Sequence, residues 1–167
     1  MSETDEGVDW TNTPEPMARD ILAQGETFLH AQMQSALASD QRATTMAGLL
    51  ITISTATFAG VVALWERLES DALAAGFTSA AVLLLAAVAA AWAARPIDFW
   101  FPGSRPEDWY EGRLCKPADM LGGEAENVQF RIDENEALMS GNQTALRLSF
   151  VLALLSPLAG LAVWRLS

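Results

Sequence analysis

Three stretches of this chain, Met46–Trp65, Ala72–Ala94 and Leu148–Trp164, contain no Asp, Glu, Lys, Arg or His. A helix on a soluble domain keeps one face in water, so charges recur along it every few residues. The first two stretches hold 20 and 23 residues. At about 1.5 Å of rise per residue, each can cross a hydrocarbon layer roughly 30 Å thick. A central Leu, Ile, Val or Phe favours insertion by about 0.3–0.6 kcal/mol, whereas one central charge opposes it by about 2.5–3.5 kcal/mol. The third stretch is the shortest, at 17 residues, and carries Pro157. The pattern predicts an all-α membrane protein with three transmembrane helices at 46–65, 72–94 and 148–164.

The flanking segments have a different pattern. Residues 1–19 read as an acidic, disordered tail punctuated by Pro14 and Pro16. Residues 20–45 read as an amphipathic helix in which Leu22, Leu29, Met33 and Leu37 form an apolar stripe. Gly25 weakens that helix by about 1 kcal/mol relative to Ala without ending it. No breaker separates it from the first span, so one continuous helix is expected from about Asp20 to Trp65. Residues 66–71 form a short polar turn. Residues 95–123 begin with Arg95-Pro96, which stops the second helix, and continue as an aromatic loop.

Residues 124–147 read as a second amphipathic helix leading into the third span. Val128, Ile132, Asn135, Met139, Asn142 and Leu146 alternate by four and three, which is a coiled-coil seam containing two asparagines. The alternative is that Asn135 and Asn142 face water. The helical extensions of the first and third spans each need a partner for their stripe, either each other or another chain.

Charge adds an orientation. Arg19, Arg42, Arg95, Arg105, Arg113, Lys116, Arg131 and Arg147 lie on one side of the spans, and Arg67 and Arg165 on the other. Basic residues mark the cytoplasmic side, so the N-terminus, both extensions and the aromatic loop are expected there and the C-terminus outside. With 18 acidic residues on that side, the surface repels phosphate backbones, which argues against nucleic-acid binding.

Small and polar residues mark candidate packing faces: Ala56 and Gly60 in the first span, and Ser149, Ala153, Ser156 and Gly160 in the third. Thr52, Ser54, Thr55 and Thr57 can bond between helices or back to their own helix. Trp92, Phe99, Trp100, Phe101 and Trp109 suit an interfacial aromatic belt. Gly103-Ser104-Arg105 could cradle an anion beside Trp100 or Trp109, although belt anchoring explains the same aromatics more simply. Glu26 and His30 share metal-ligand spacing, but two ligands do not make a site. Asp133, Glu134 and Glu136 lack calcium-loop spacing and read as a solvated face. Cys115, the single cysteine, excludes an intrachain disulfide. With no catalytic constellation and no phosphate-binding glycine motif, neither an enzyme nor a cofactor is expected.

Ala38-Ser39-Asp40-Gln41-Arg42-Ala43 ahead of the first span resembles the Ala-Asp-x-Lys-Ala signature of Pycsar-type transmembrane effectors, found in bacterial antiphage systems that signal through cyclic pyrimidine nucleotides. Arg95-Pro96 followed by Phe99-Trp100-Phe101, and the Asn135 helix running into an apolar C-terminal segment, are similar too. Ser39 and Arg42 depart from the usual residues, and no nucleotide-binding domain is recognisable. The resemblance implies a bacterial inner-membrane protein that assembles and impairs the membrane on a cyclic-nucleotide signal. Asp40 and Arg42 would then relay motion of the extensions to the spans. The alternative is an accessory subunit of a larger membrane complex, whose acidic helices dock a basic partner.

Overall fold

The computed structural model describes residues 9–10, 12–105, 107, 109 and 112–166. Residues 1–8 and 11 of the acidic tail lie outside them. Among the described residues there are three long helices and no strand: α1 (Glu15–Ala63), α2 (Ser70–Ala93) and α3 (Pro117–Leu166), with a short 3₁₀ turn at Gly112–Leu114.

The first span and its extension form one uninterrupted helix of 49 residues. It starts earlier than expected, inside the segment assigned to the tail. Pro14 and Pro16 flank Glu15, and a proline is tolerated in a helix's first turn because the N–H groups there have no intrahelical acceptor. The Ala18 N–H donates to the Pro14 carbonyl (3.1 Å), and Arg19 pairs with Glu15 one turn back (2.7 Å). Pro117 opens α3 in the same way, so that helix includes Gly122-Gly123 and begins seven residues before Glu124.

The chain divides into two units. One comprises residues 1–36 and 97–138, the other residues 37–96 and 139–167. In the first unit, α1 and α3 run parallel: the Gln32 side chain donates to the Ile132 carbonyl (3.1 Å), and Val128 lies against Gly25. Leu22, Leu29, Val128 and Ile132 form the core, joined by Trp109, Leu121 and Ala125. Gly25 permits this approach, because a Cβ there would stand 2.9 Å from a Val128 methyl.

In the second unit, α2 runs antiparallel to both neighbours. Ser54 Oγ donates to the Ala80 carbonyl (2.8 Å), Ser149 Oγ to Ala86 (2.7 Å), and Ser79 Oγ to Ser156 (3.2 Å). Leu50, Leu83, Ala86 and Ala87 form its apolar centre with Met46, Leu152 and Ala153. Phe77 stacks at a tilt on Phe58 and Trp65, with ring centroids 5.5 and 5.8 Å apart. Each of the three long helices contains a segment long and apolar enough to cross a membrane.

Burial along α1 and α3 repeats every seven residues. Leu22, Leu29, Ala36, Ala43 and Leu50 are buried on α1, and Val128, Asn135, Asn142, Ser149 and Ser156 on α3. That period of 3.5 is the coiled-coil repeat. Leu37, expected in the α1 stripe, falls outside it and is 62% exposed.

Candidate functional site

In the first unit the aromatic loop is clamped to α3 at three points. Asn135 is fully buried. Its side-chain amide pairs with both backbone groups of Trp100: the Trp100 N–H donates to Oδ1 (3.0 Å), and Nδ2 donates to the Trp100 carbonyl (3.1 Å). An asparagine amide has one acceptor and one donor side by side, which is the complement of a residue's own N–H and C=O. Asn135 therefore serves the loop backbone.

One turn earlier, Arg131 donates to the Gly103 carbonyl (3.0 Å) and to Ser104 Oγ (3.1 Å). Its guanidinium also lies 3.5 Å from Glu124, to which Ser104 donates a further hydrogen bond. Gly103 makes this turn with φ +86°, a backbone region that disfavours side chains, and the Pro102-Gly103 pair suits a tight turn. Arg131 and Glu124 are mostly buried, so their pairing is screened less than a surface bridge.

A fourth contact comes from the N-terminal segment. The Trp10 ring lies against Gly122, where any Cβ would collide with it, and its indole N–H donates to Glu126 Oε1 (2.7 Å). Sequence reasoning missed Trp10, Gly122, Glu126, Glu124 and Arg131. Trp10 sits in an acidic segment with no periodicity, and Gly122-Gly123 read as loop. The one available signal was a glycine pair inside what proves to be a helix, where glycine needs a packing reason.

The sequence-predicted residues divide by environment. Ser149, Ser156 and Gly160 are buried and Ala153 half-buried on the face of α3 that meets α2; a Cβ on Gly160 would press on Ser79 and on the Ala75 carbonyl. Asn142 is buried. Ala56 and Gly60 are exposed, and a Cβ on Gly60 meets nothing within 4 Å. Within the chain, α1 packs instead through Leu50, Ser54 and Val61, because the buried heptad passes through those positions. Thr52 and Thr57 bond back to their own helix, while Ser54 crosses to α2.

Trp92, Trp100 and Phe101 are exposed and Phe99 is half-buried; Arg95 stacks over the Trp92 ring at 4.7 Å. Trp109, expected at the membrane surface, packs on the Leu22–Ile132 cluster instead. Asp40 is half-buried and Arg42 exposed on α1. Desolvation by burial raises the Asp40 carboxyl above its ordinary value of 3.8.

At Gly103-Ser104-Arg105 the Gly103 carbonyl accepts from Arg131, and the Ser104 hydroxyl accepts from Arg131 and donates to Glu124. A neighbouring cavity of about 210 Å³, lined by residues including Trp109, Asp119, Glu124 and Asn127, has no basic side chain among the described residues of its lining. Glu26 and His30 gain no third ligand: among the described residues no three His, Cys, Asp or Glu side chains are grouped to hold a metal. Comparison with protein families, characterised proteins and solved structures finds no match.

Proposed function

We propose that this chain is a non-enzymatic membrane protein of the bacterial inner membrane that associates with copies of itself, with its three uncharged stretches crossing the bilayer and its N-terminus and the helical extensions on the cytoplasmic side. The observation that carries this reading is the inverted packing of the second unit. Its buried positions are Ala43, Ala47, Ser54, Ala80, Ala86, Ala87, Ala90, Ala93, Ser149 and Ser156 beside few larger side chains. Its exposed positions include Leu49, Ile51, Ile53, Phe58, Leu84, Leu85, Val88, Phe150, Val151, Leu154, Leu155 and Leu158. Water drives large apolar side chains inward. In lipid that force between helices vanishes, and small residues that permit close approach take the contacts.

Self-association is supported by what α1 leaves outward. Gly48, Thr52, Ala56 and Gly60, each four residues from the next, are all exposed, and a Cβ on either glycine meets nothing within 4 Å. A small-residue stripe at that spacing is the surface on which membrane helices pair. The resemblance to Pycsar-type effectors extends this reading to an effector that impairs the membrane when a cyclic-nucleotide signal arrives, with Asp40 and Arg42 as the relay.

Three experiments test the reading. The chain purified in mild detergent forms a discrete homo-oligomer, and replacing Ala56 and Gly60 with Leu reduces it to monomer; an unchanged oligomer refutes pairing through this face. The exposed native Cys115 reports orientation: a membrane-impermeant maleimide labels it only after the inner membrane is opened, and labelling in intact spheroplasts overturns the topology. For the effector role, overproduction with a cyclic-nucleotide signal causes dye leakage; growth without leakage across a panel of cyclic nucleotides removes it.

A further inference from the structure

We propose that the groove between α1 and α3 in the first unit is a docking site for a cationic amphipathic helix of a partner protein. The groove encloses about 500 Å³ and is lined by Ile21, Gln24, Gly25 and Phe28 from α1 and by Ala125, Val128, Gln129, Ile132, Asp133 and Glu136 from α3. Its floor is the core itself, Val128 and Ile132. Gly25 lets Val128 sit close against α1, and Ala125 lacks the bulk to fill the space above that floor. Phe28, 56% exposed, and Ile21 stand beside it.

The shape fits one helix. The α3 wall runs from Ala125 to Glu136, about 17 Å or three turns at 1.5 Å per residue. Two parallel helices present ridges between which a third packs, anchored by apolar side chains at i, i+3 or i+4, and i+7. Gln24 and Phe28 also line a shallow depression continuing over Asp20, Ala23, Thr27 and Ala31, so the apolar track broadens on the α1 side.

The charge selects the occupant. Among the described residues, the ionisable ones lining the groove and its continuation are Asp133, Glu136 and Asp20, and none is basic. A second copy offers a poor occupant, because the chain carries 21 acidic residues against 10 Lys and Arg, and the basic ones are scattered singly. An anionic lipid surface is repelled by the same rim. A helix with Lys or Arg flanking its apolar stripe satisfies both walls, its charges setting which partner is accepted and its apolar residues supplying the hold.

The experiment uses the full chain in nanodiscs of phosphatidylcholine, with two fluorescent probe peptides of about five helical turns, one of Leu and Lys and one of Leu and Glu. The Leu/Lys peptide binds at least about tenfold tighter. Asp133→Lys with Glu136→Lys reverses that preference. Phe28→Asp weakens binding by about tenfold or more, while Phe130→Asp, exposed on α3 and outside the groove, leaves it unchanged. Circular dichroism shows every variant to be as helical as the parent. Three outcomes overturn the proposal: equal binding of both peptides, Leu/Lys binding that survives Phe28→Asp, and a change in oligomer number on Phe28→Asp without peptide, which would assign the groove to a second copy.

Discussion

At the scale of single residues, polar side chains inside this protein differ in how fully they are served. Asn135 is buried with its amide paired to both backbone groups of Trp100. Removing one partner of a buried hydrogen bond costs about 1–3 kcal/mol where the other is left unpaired. Asn135→Leu, which would stabilise a plain coiled-coil seam, is therefore expected to lower stability by about 1–3 kcal/mol and to speed hydrogen exchange at the Trp100 amide. Gln32 is the contrasting case. Its Nε2 donates to Ile132, but its Oε1 is buried with no hydrogen-bond partner among the described residues. Gln32→Met loses one bond and removes one unsatisfied acceptor, so the expected change in chemical-denaturation midpoint corresponds to less than about 1 kcal/mol. Asp40 adds a pH dependence. Burial raises its pKa above 3.8, so the folded state binds its proton more tightly than the unfolded state does. The stabilisation this provides is complete below pH 3.8 and is lost as pH rises through the folded-state pKa. Asp40→Asn should then raise the thermal midpoint relative to the parent at neutral pH, and the two should converge in acid.

At the scale of elements, the uncharged stretches and the alternating seam were enough to place three helices and the inward face of α3, because hydrophobic periodicity reports what one helix does to its own surroundings. They were not enough to locate the helix starts. Pro14 and Pro16 read as punctuation of a tail and Pro117 fell inside the loop assigned to 95–123, yet a proline at the first turn is a start. Nor could they identify Asn135's partner, which lies 35 positions away in a loop without periodicity. Glycines separate the same way. Gly160 and Gly60 both looked like contact residues, but only Gly160 meets another helix within the chain. Gly160→Ala forces a methyl onto Ser79 and the Ala75 carbonyl, and overpacking of this kind costs about 1–3 kcal/mol. Gly60→Ala has free space and a better helix former, so its unfolding midpoint in detergent should not fall. Equal losses at both sites would show that α3 does not pack on α2 as described.

At the scale of the whole molecule, a charge placed among the large exposed apolar side chains tests whether lipid or water surrounds the uncharged stretches. Leu154 is 74% exposed near the middle of the third uncharged stretch, whereas Ser149 is fully buried five residues earlier. If water surrounded this stretch, a charge at position 154 would be tolerated, since an exposed substitution of that kind usually changes stability by no more than about 0.5 kcal/mol. If lipid surrounds it, Leu154→Arg places a charge where a spanning helix opposes it by about 2.5–3.5 kcal/mol, and it also removes a favourable leucine. The third span is short and contains Pro157, so its margin for insertion is the smallest of the three. Leu154→Arg is thus expected to lower the fraction of α3 that inserts, read as new accessibility of a C-terminal tag from the cytoplasmic side. Arg165 lies beyond the apolar stretch and serves as control: Arg165→Ala leaves insertion unchanged or improves it, because it removes a basic residue from the outer flank. Unchanged tag accessibility in the Leu154→Arg chain would mean that position 154 is shielded by protein or water and does not face lipid.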